Sequence, residues 1–190
     1  MVKNKVAVLV AVSALSIPAY AADNGWFVLG SVGMTKYHDK DPAPAGFTVD
    51  DSDMGFKVGG GYMFNQNLGV EAAYVDLGKE KFTAPGVSAE AKASGEVLAV
   101  LGVWPINPQF SLLGRIGAIN GTVKVSGGGA DVKSTDVKLT YGVGGAYNLN
   151  KQFSIRLEYD RYDKLGNSDP NSTGESSVDL ISLGVVYKFQ

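Results

Sequence analysis

The sequence predicts an all-β protein, an eight-stranded antiparallel up-and-down transmembrane β-barrel. Three observations point to it. From Gly25 to the last residues, apolar side chains recur at every second position, the period of a strand rather than of a helix. The connections between these segments alternate between short Asn- and Pro-containing turns and long polar stretches. The less apolar side of the segments is rich in Gly and Ala with few charges, a poor surface for water but a good filling for a narrow interior.

The first residues stand apart from the fold. Lys3 and Lys5 precede "VAVLVAVSALSI", too short to span a bilayer as a helix, and "AYA" (Ala19 to Ala21) follows as a small-x-small cleavage signal. This favours a cleaved signal peptide over residues 1–21 rather than a retained anchor, with residues 22–190 as the outer-membrane β-barrel domain. With 190 residues, the chain suits a single domain. Export of a chain without cysteine points to a bacterial envelope rather than a disulfide-stapled secreted domain. A net charge of -2 argues against a nucleic-acid partner, which would favour a basic face.

The segments follow in order. "WFVLGSVGMTKY" places Trp26, Val28, Gly30, Val32 and Met34 on one side. "FKVGGGYMF" opposes Phe56, Val58, Gly60, Tyr62 and Phe64 to Lys57, Gly59, Gly61 and Met63. "LGVEAAYVDL" opposes Leu68, Val70, Ala72 and Tyr74 to Gly69, Glu71, Ala73 and Val75. "GEVLAVLGVW" is apolar on both sides, so its register stays open. "FSLLGRIGAI" sets Phe110, Leu112, Gly114 and Ile116 against Ser111, Leu113, Arg115 and Gly117. "VKLTYGVGGAYNL" sets Val137, Leu139, Tyr141, Val143, Tyr147 and Leu149 against Lys138, Thr140, Gly142, Gly144 and Asn148. "FSIRLEYD" alternates most cleanly, Phe153, Ile155, Leu157 and Tyr159 against Ser154, Arg156, Glu158 and Asp160. "DLISLGVVYKFQ" ends the series with Ile181, Leu183, Val185, Tyr187 and Phe189 on its apolar side, and pairing with "GWFVLG" would close the barrel. The short turns are "NQN", "PINP" and "NK". The long connections are "HDKDPAPAGFTVDDSD", "GKEKFTAPGVSAEAKA", "SGGGADVKST" and "GNSDPNSTGESS", read as four polar loops at the opposite end.

Which face looks outward follows from the solvent. A soluble carrier barrel of lipocalin type turns its apolar face inward around a ligand. Here the interior of a narrow barrel suits the Gly, Ala and charged side, which leaves the Leu, Val, Ile and aromatic side for lipid. Lipid in turn requires every backbone group to be paired, as a closed barrel does. Trp26, Phe64, Trp104, Phe110, Tyr147, Phe153 and Phe189 lie near the short-turn ends and would form an aromatic girdle. Tyr37, Tyr74, Tyr159 and Tyr162 lie nearer the long loops. Glu71, Arg115, Arg156 and Glu158 point inward near mid-strand, with Lys57, Lys138 and Asp160 as further lumen charges. Charges in a narrow interior are expected to pair. A satisfied polar filling is favoured over an ion-pair gate, because eight strands leave no continuous channel.

"GWFVLGSVGMTKYHD", "LGVEAAYVDLG", "LLGRIGA", "SIRLEYDRY" and "SLGVVYKF", in this order, resemble the transmembrane barrel of the outer membrane protein A (OmpA) family. The resemblance covers essentially all of residues 22–190 and implies an eight-stranded barrel in a Gram-negative outer membrane. It also implies an interior salt-bridge network at Glu71, Arg115, Arg156 and Glu158, implicated in pore gating. Two departures stand out. The family's interior Lys on the first strand falls at Ser31 and an interior Glu on the sixth at Ala146. Full-length relatives continue into a periplasmic peptidoglycan-binding domain, whereas this sequence ends at Gln190, so a stand-alone barrel without wall anchoring is expected. In size it is similar to small OmpX/Ail-type barrels. Phe189 resembles the terminal aromatic that outer-membrane assembly machinery recognises, with Gln190 after it.

The leading expectation is a structural and surface-interaction barrel whose partners are outer-membrane lipids, lipopolysaccharide, the assembly machinery and surface ligands met through its loops. The alternative is a low-conductance pore gated by the interior ion pairs. Catalysis is not expected. His38, the single histidine, neighbours Asp39, Asp41, Asp50, Asp51 and Asp53, a composition common in exposed loops. The acidic stretch "VDDSD" has no defined calcium-loop spacing, so no metal or cofactor is expected.

Overall fold

The computed structural model describes residues 24–39, 48–84, 87–127, 130–167 and 174–189; the expected signal peptide lies outside them. The strands are β1 (Gly25–Asp39), β2 (Thr48–Asp50), β3 (Ser52–Met63), β4 (Leu68–Ala84), β5 (Val87–Pro105), β6 (Phe110–Gly127), β7 (Ala130–Asn148), β8 (Phe153–Asn167) and β9 (Gly174–Lys188). All but β2 form one closed antiparallel barrel of eight strands, each paired with its neighbours in chain order. Closure is made by β9 on β1, in register from Phe27 opposite Lys188 to Asp39 opposite Ser176. The three-residue β2 is additional. It pairs with Lys81 to Thr83 of β4, above the point where β3 ends its pairing at Phe56 opposite Asp76.

The three short turns share one device. In "FNQNL", "INPQF" and "LNKQF" an Asn follows an apolar residue that lies just past the end of the strand. The side-chain oxygens of Asn65, Asn107 and Asn150 each accept from two backbone N–H groups, two and three residues on. These Asx turns satisfy donors that the tight reversal leaves without strand partners.

At the other end, two stretches read as polar loops are strands. Residues 78–84 belong to β4 and residues 87–93 to β5, paired from Lys79 opposite Lys92 to Ala84 opposite Val87. Residues 126–127 likewise belong to β6 and residues 130–135 to β7, paired up to Gly127 opposite Ala130. Polar composition hid them because their cross-strand pairs are polar: Lys79 Nζ to Glu90 Oε1 at 2.9 Å, and Thr122 Oγ1 to Thr135 Oγ1 at 3.0 Å. With 19 residues each, β5 and β7 are about 60 Å long. A tilted strand needs only about 9–11 residues to cross the hydrocarbon, so both project well beyond the membrane.

The faces are inverted relative to a soluble domain. Val32, Leu98, Val143 and Leu183 are all more than half exposed on the outer wall. This apolar belt ends at Lys36, Ser52, Asp76, Asn120, Thr135, Arg161 and Asp179, where the outward side turns polar. Strand β5 turns Val97, Ala99 and Leu101 inward and Leu98 and Trp104 outward. Pairing on both flanks settles a register that its pattern alone does not. Two irregularities reset the alternation where strands leave the belt. One lies between Asp76 and Lys79, with Gly78 at φ 71°, and turns Glu80 inward. The other lies between Tyr162 and Leu165, with Lys164 at φ 52°, and turns Leu165 inward. Each inserts one extra residue on one strand of a pair, as a β-bulge does.

Candidate functional site

The mid-barrel interior is a closed ring of alternating charges. Lys57 on β3 places Nζ 2.8 Å from Glu158 Oε2 and 3.0 Å from Asp160 Oδ2, both on β8. Arg156 Nη1, on β8, lies 3.9 Å from Glu158 Oε1 and 3.0 Å from Glu71 Oε2 on β4. Arg115 on β6 donates to Glu71 Oε1 at 2.7 Å and meets Asp160 through Nη2 at 2.5 Å. The circuit runs Lys57, Glu158, Arg156, Glu71, Arg115, Asp160 and back to Lys57. Three cations face three anions, and none of the six side chains is more than 6% exposed. At that burial an unpaired charge would bear a desolvation cost of several kcal/mol, which alternation around the ring offsets.

Small residues make the space. Across the β7–β8 pair, Gly142 stands opposite Asp160 and Gly144 opposite Glu158. A Cβ on Gly142 would run into the Asp160 carboxylate, and one on Gly144 would lie 3.0 Å from Glu158 Cγ. The glycine-rich inner faces are therefore the room that the acids occupy.

Two apolar clusters sandwich the ring, and the sequence pattern did not reveal them. On the loop side, Tyr37, Leu77, Val97, Ile119, Tyr162 and Leu180 belong to one buried cluster. On the turn side Phe27, Leu29, Met63, Leu101 and Val186 form the other. Arg156 joins ring to cluster, its guanidinium carbon 5.3 Å from the Phe27 ring centroid. Tyr37 and Tyr162 thus belong to the interior rather than to the outer wall with Tyr74 and Tyr159. The inward parity of Tyr37 was readable from Trp26 onward.

Lys57 and Asp160, read as additional lumen charges, complete the ring. Lys138 does not reach it, its Nζ being 3.7 Å from Glu175 Oε1. Trp26, Phe64, Trp104, Phe110, Tyr147, Phe153 and Phe189 all lie exposed on the outer wall near the turns. Tyr62 and Tyr187 fill the same band, Tyr62 between Trp26 and Phe64 with centroids at 5.1 and 5.7 Å, and Tyr187 5.0 Å from both Phe153 and Phe189. Phe189 donates its backbone N–H to Trp26 O at 2.9 Å, extending the closing seam. His38 pairs with Asp179 across that seam, Nε2 to Oδ2 at 3.0 Å; the Asp39 side chain and Asp41 lie outside the described residues. Among the described residues no cluster of His, Asp and Glu has the makings of a metal site.

Comparison with known proteins agrees with this architecture. A family model described as "Outer membrane protein beta-barrel domain" matches residues 7–189. Outer membrane protein A of Shigella flexneri is 28% identical over 196 residues, taking in 100% of this chain and 56% of that protein. The chain thus spans about half the length of the curated relatives it matches. Among solved structures, Ail, the attachment invasion locus protein of Yersinia pestis, is similar with a TM-score of 0.57 at 21% identity, over 87% of this chain and 99% of that one. Neisserial surface protein A is similar with a TM-score of 0.63 at 18% identity, over 87% of this chain and 97% of that one. At these identities the structural likeness concerns the fold.

Proposed function

Because the chain belongs to the outer membrane protein beta-barrel domain family, we propose that this outer-membrane barrel works as a sealed platform. Its role is structural and interactive: it fills the bilayer and holds a polar surface outside it. The observation that carries this reading is the filled lumen, an ion-paired ring closed above and below by apolar side chains. A low-conductance pore needs a wet path, and here the ring would have to open and both clusters part. The lesser reading therefore asks for a large rearrangement.

The platform itself is the hairpin formed by the upper parts of β6 and β7, together with the extended β4 and β5. Its outward side carries Lys92, Lys124, Lys133 and Thr135, a surface for polar macromolecular partners. The Lys92 ammonium is held above its ordinary pKa by its hydrogen bond to Asp76. Outer-membrane lipids and lipopolysaccharide would face the belt and the aromatic band, and Phe189 would serve assembly.

Orientation is testable because the chain has no cysteine. Ser126→Cys should react with a membrane-impermeant maleimide on intact cells, and Lys151→Cys only after the outer membrane is permeabilised. The reverse pattern would overturn the reading.

A further inference from the structure

Above the belt, one row of the outer wall is built entirely of lysine. Lys79, Lys92, Lys124 and Lys133 stand directly opposite one another on β4, β5, β6 and β7, and the row is about 14 Å long. Like charges directly opposite each other destabilise a sheet. Half of the row is relieved within the protein. Lys79 Nζ lies 2.9 Å from Glu90 Oε1, and Lys92 Nζ lies 2.9 Å from Asp76 Oδ2. Glu96, nearer the belt, accepts from Asn120 Nδ2 at 3.1 Å. Lys124 and Lys133 are both exposed and have no ion-pair partner among the described residues.

On the same face, one step toward the membrane, Thr122 and Thr135 also stand opposite each other, Oγ1 to Oγ1 at 3.0 Å. One hydroxyl proton is used between them, and the other is left to donate outward. Two ammoniums side by side above a hydroxyl donor are the complement of a phosphate, which accepts at several oxygens and carries the opposite charge. Depth selects its source. From Phe110 in the aromatic band to Asn120, where the outward side of β6 turns polar, is about 23 Å along the membrane normal for a strand tilted about 45°. That is close to the height of an outer-membrane apolar band, about 25 Å. Thr122 and Lys124 then stand about 5 and 9 Å above its edge, where the headgroup layer is about 5–8 Å deep. A soluble polyanion would be met higher, at the tip of the hairpin.

We infer that Lys124, Lys133, Thr122 and Thr135 bind the phosphate of a lipid headgroup at the loop-side rim of the barrel. The lipid lies in the outer leaflet, an assignment that rests on the platform reading. Its phosphate sits between the two ammoniums and accepts from the free threonine hydroxyl, while its acyl chains lie along the belt below.

The test is titration of the folded, ¹⁵N-labelled protein in maltoside micelles, which carry no phosphate, followed at the backbone amides. Dihexanoyl phosphatidic acid should shift Thr122, Lys124, Lys133 and Thr135 saturably. Dihexanoylglycerol, which lacks the phosphate, should leave them in place. Inorganic phosphate, which no acyl chain holds at the surface, should bind at least about tenfold more weakly. Lys124→Gln should weaken phosphatidic acid about fivefold, and Lys124→Gln combined with Lys133→Gln about 30-fold. Both variants should keep the parent's unfolding midpoint in these micelles, and Lys151→Gln, at the turn end, should bind as the parent does. No saturable shift at the four residues, an equal response to dihexanoylglycerol, inorganic phosphate binding as tightly, heparin binding more tightly, or full binding in the double variant would each overturn the site. Binding in micelles does not depend on which end of the barrel faces outward. Reversed labelling at Ser126→Cys and Lys151→Cys would therefore overturn the platform reading with its leaflet assignment, whereas a failed titration would overturn the phosphate site alone.

Discussion

Removal of Glu71 probes the ring at its most connected anion. Its carboxylate is fully buried and accepts from Arg115 at 2.7 Å and from Arg156 at 3.0 Å. Glu71→Ala takes both acceptors away and leaves the ring with an excess positive charge. Breaking a buried pair from one side costs about 3–5 kcal/mol, a drop of roughly a hundred- to several-thousand-fold in the folded-to-unfolded ratio. The assay is reversible urea unfolding in lipid vesicles, followed by the fluorescence of Trp26 and Trp104 and by heat-modifiable gel mobility. Lys133→Ala, at an exposed position, is the control and should stay within about 0.5 kcal/mol of the parent. Adding Arg156→Ala to Glu71→Ala removes one of the stranded cations, so the double variant should lose less than the sum of the singles, by about 0.5–3 kcal/mol. A loss under about 1 kcal/mol for Glu71→Ala, or strict additivity in the double variant, would refute the ring as a coupled unit.

Other expectations follow from the same geometry. Gly142→Val pushes a branched side chain into the Asp160 carboxylate and should cost about 1–3 kcal/mol in the same unfolding assay. Leu183→Arg, on the lipid-facing wall at mid-belt, should destabilise by about 2–4 kcal/mol in vesicles. Phe110→Ala loses a ring contact with Tyr147 at 4.8 Å, and a double-mutant cycle with Tyr147→Ala should give a coupling of about 0.5–1.5 kcal/mol. Phe189→Ala should lower the amount of heat-modifiable barrel recovered from outer membranes, and normal recovery would remove the assembly role.

Local alternation made most of the wall legible. In "FSIRLEYD" each residue's side follows from its neighbour, and the structure turns Arg156, Glu158 and Asp160 inward and Leu157 and Tyr159 outward. What alternation cannot carry is distance across the lumen. Arg115 and Asp160 meet from β6 and β8, and Lys57 reaches β8 from β3, contacts set by barrel closure rather than by spacing. The same limit hid the two apolar clusters. Val97 and Leu101 sit on a strand that is apolar on both faces, and only pairing with β4 and β6 decides which face fills the barrel. Glu80 and Leu165 escaped for a different reason, since each follows a bulge that shifts the parity. The long upper strands were missed because cross-strand polar pairs, such as Lys79 with Glu90, resemble loop composition in one dimension.

The seal of the lumen is tested most directly by single-channel recording of the purified, folded protein in planar bilayers. A ring closed by six paired side chains between two apolar clusters predicts a silent membrane across a wide voltage range. Reproducible unitary conductance from the parent protein would contradict it.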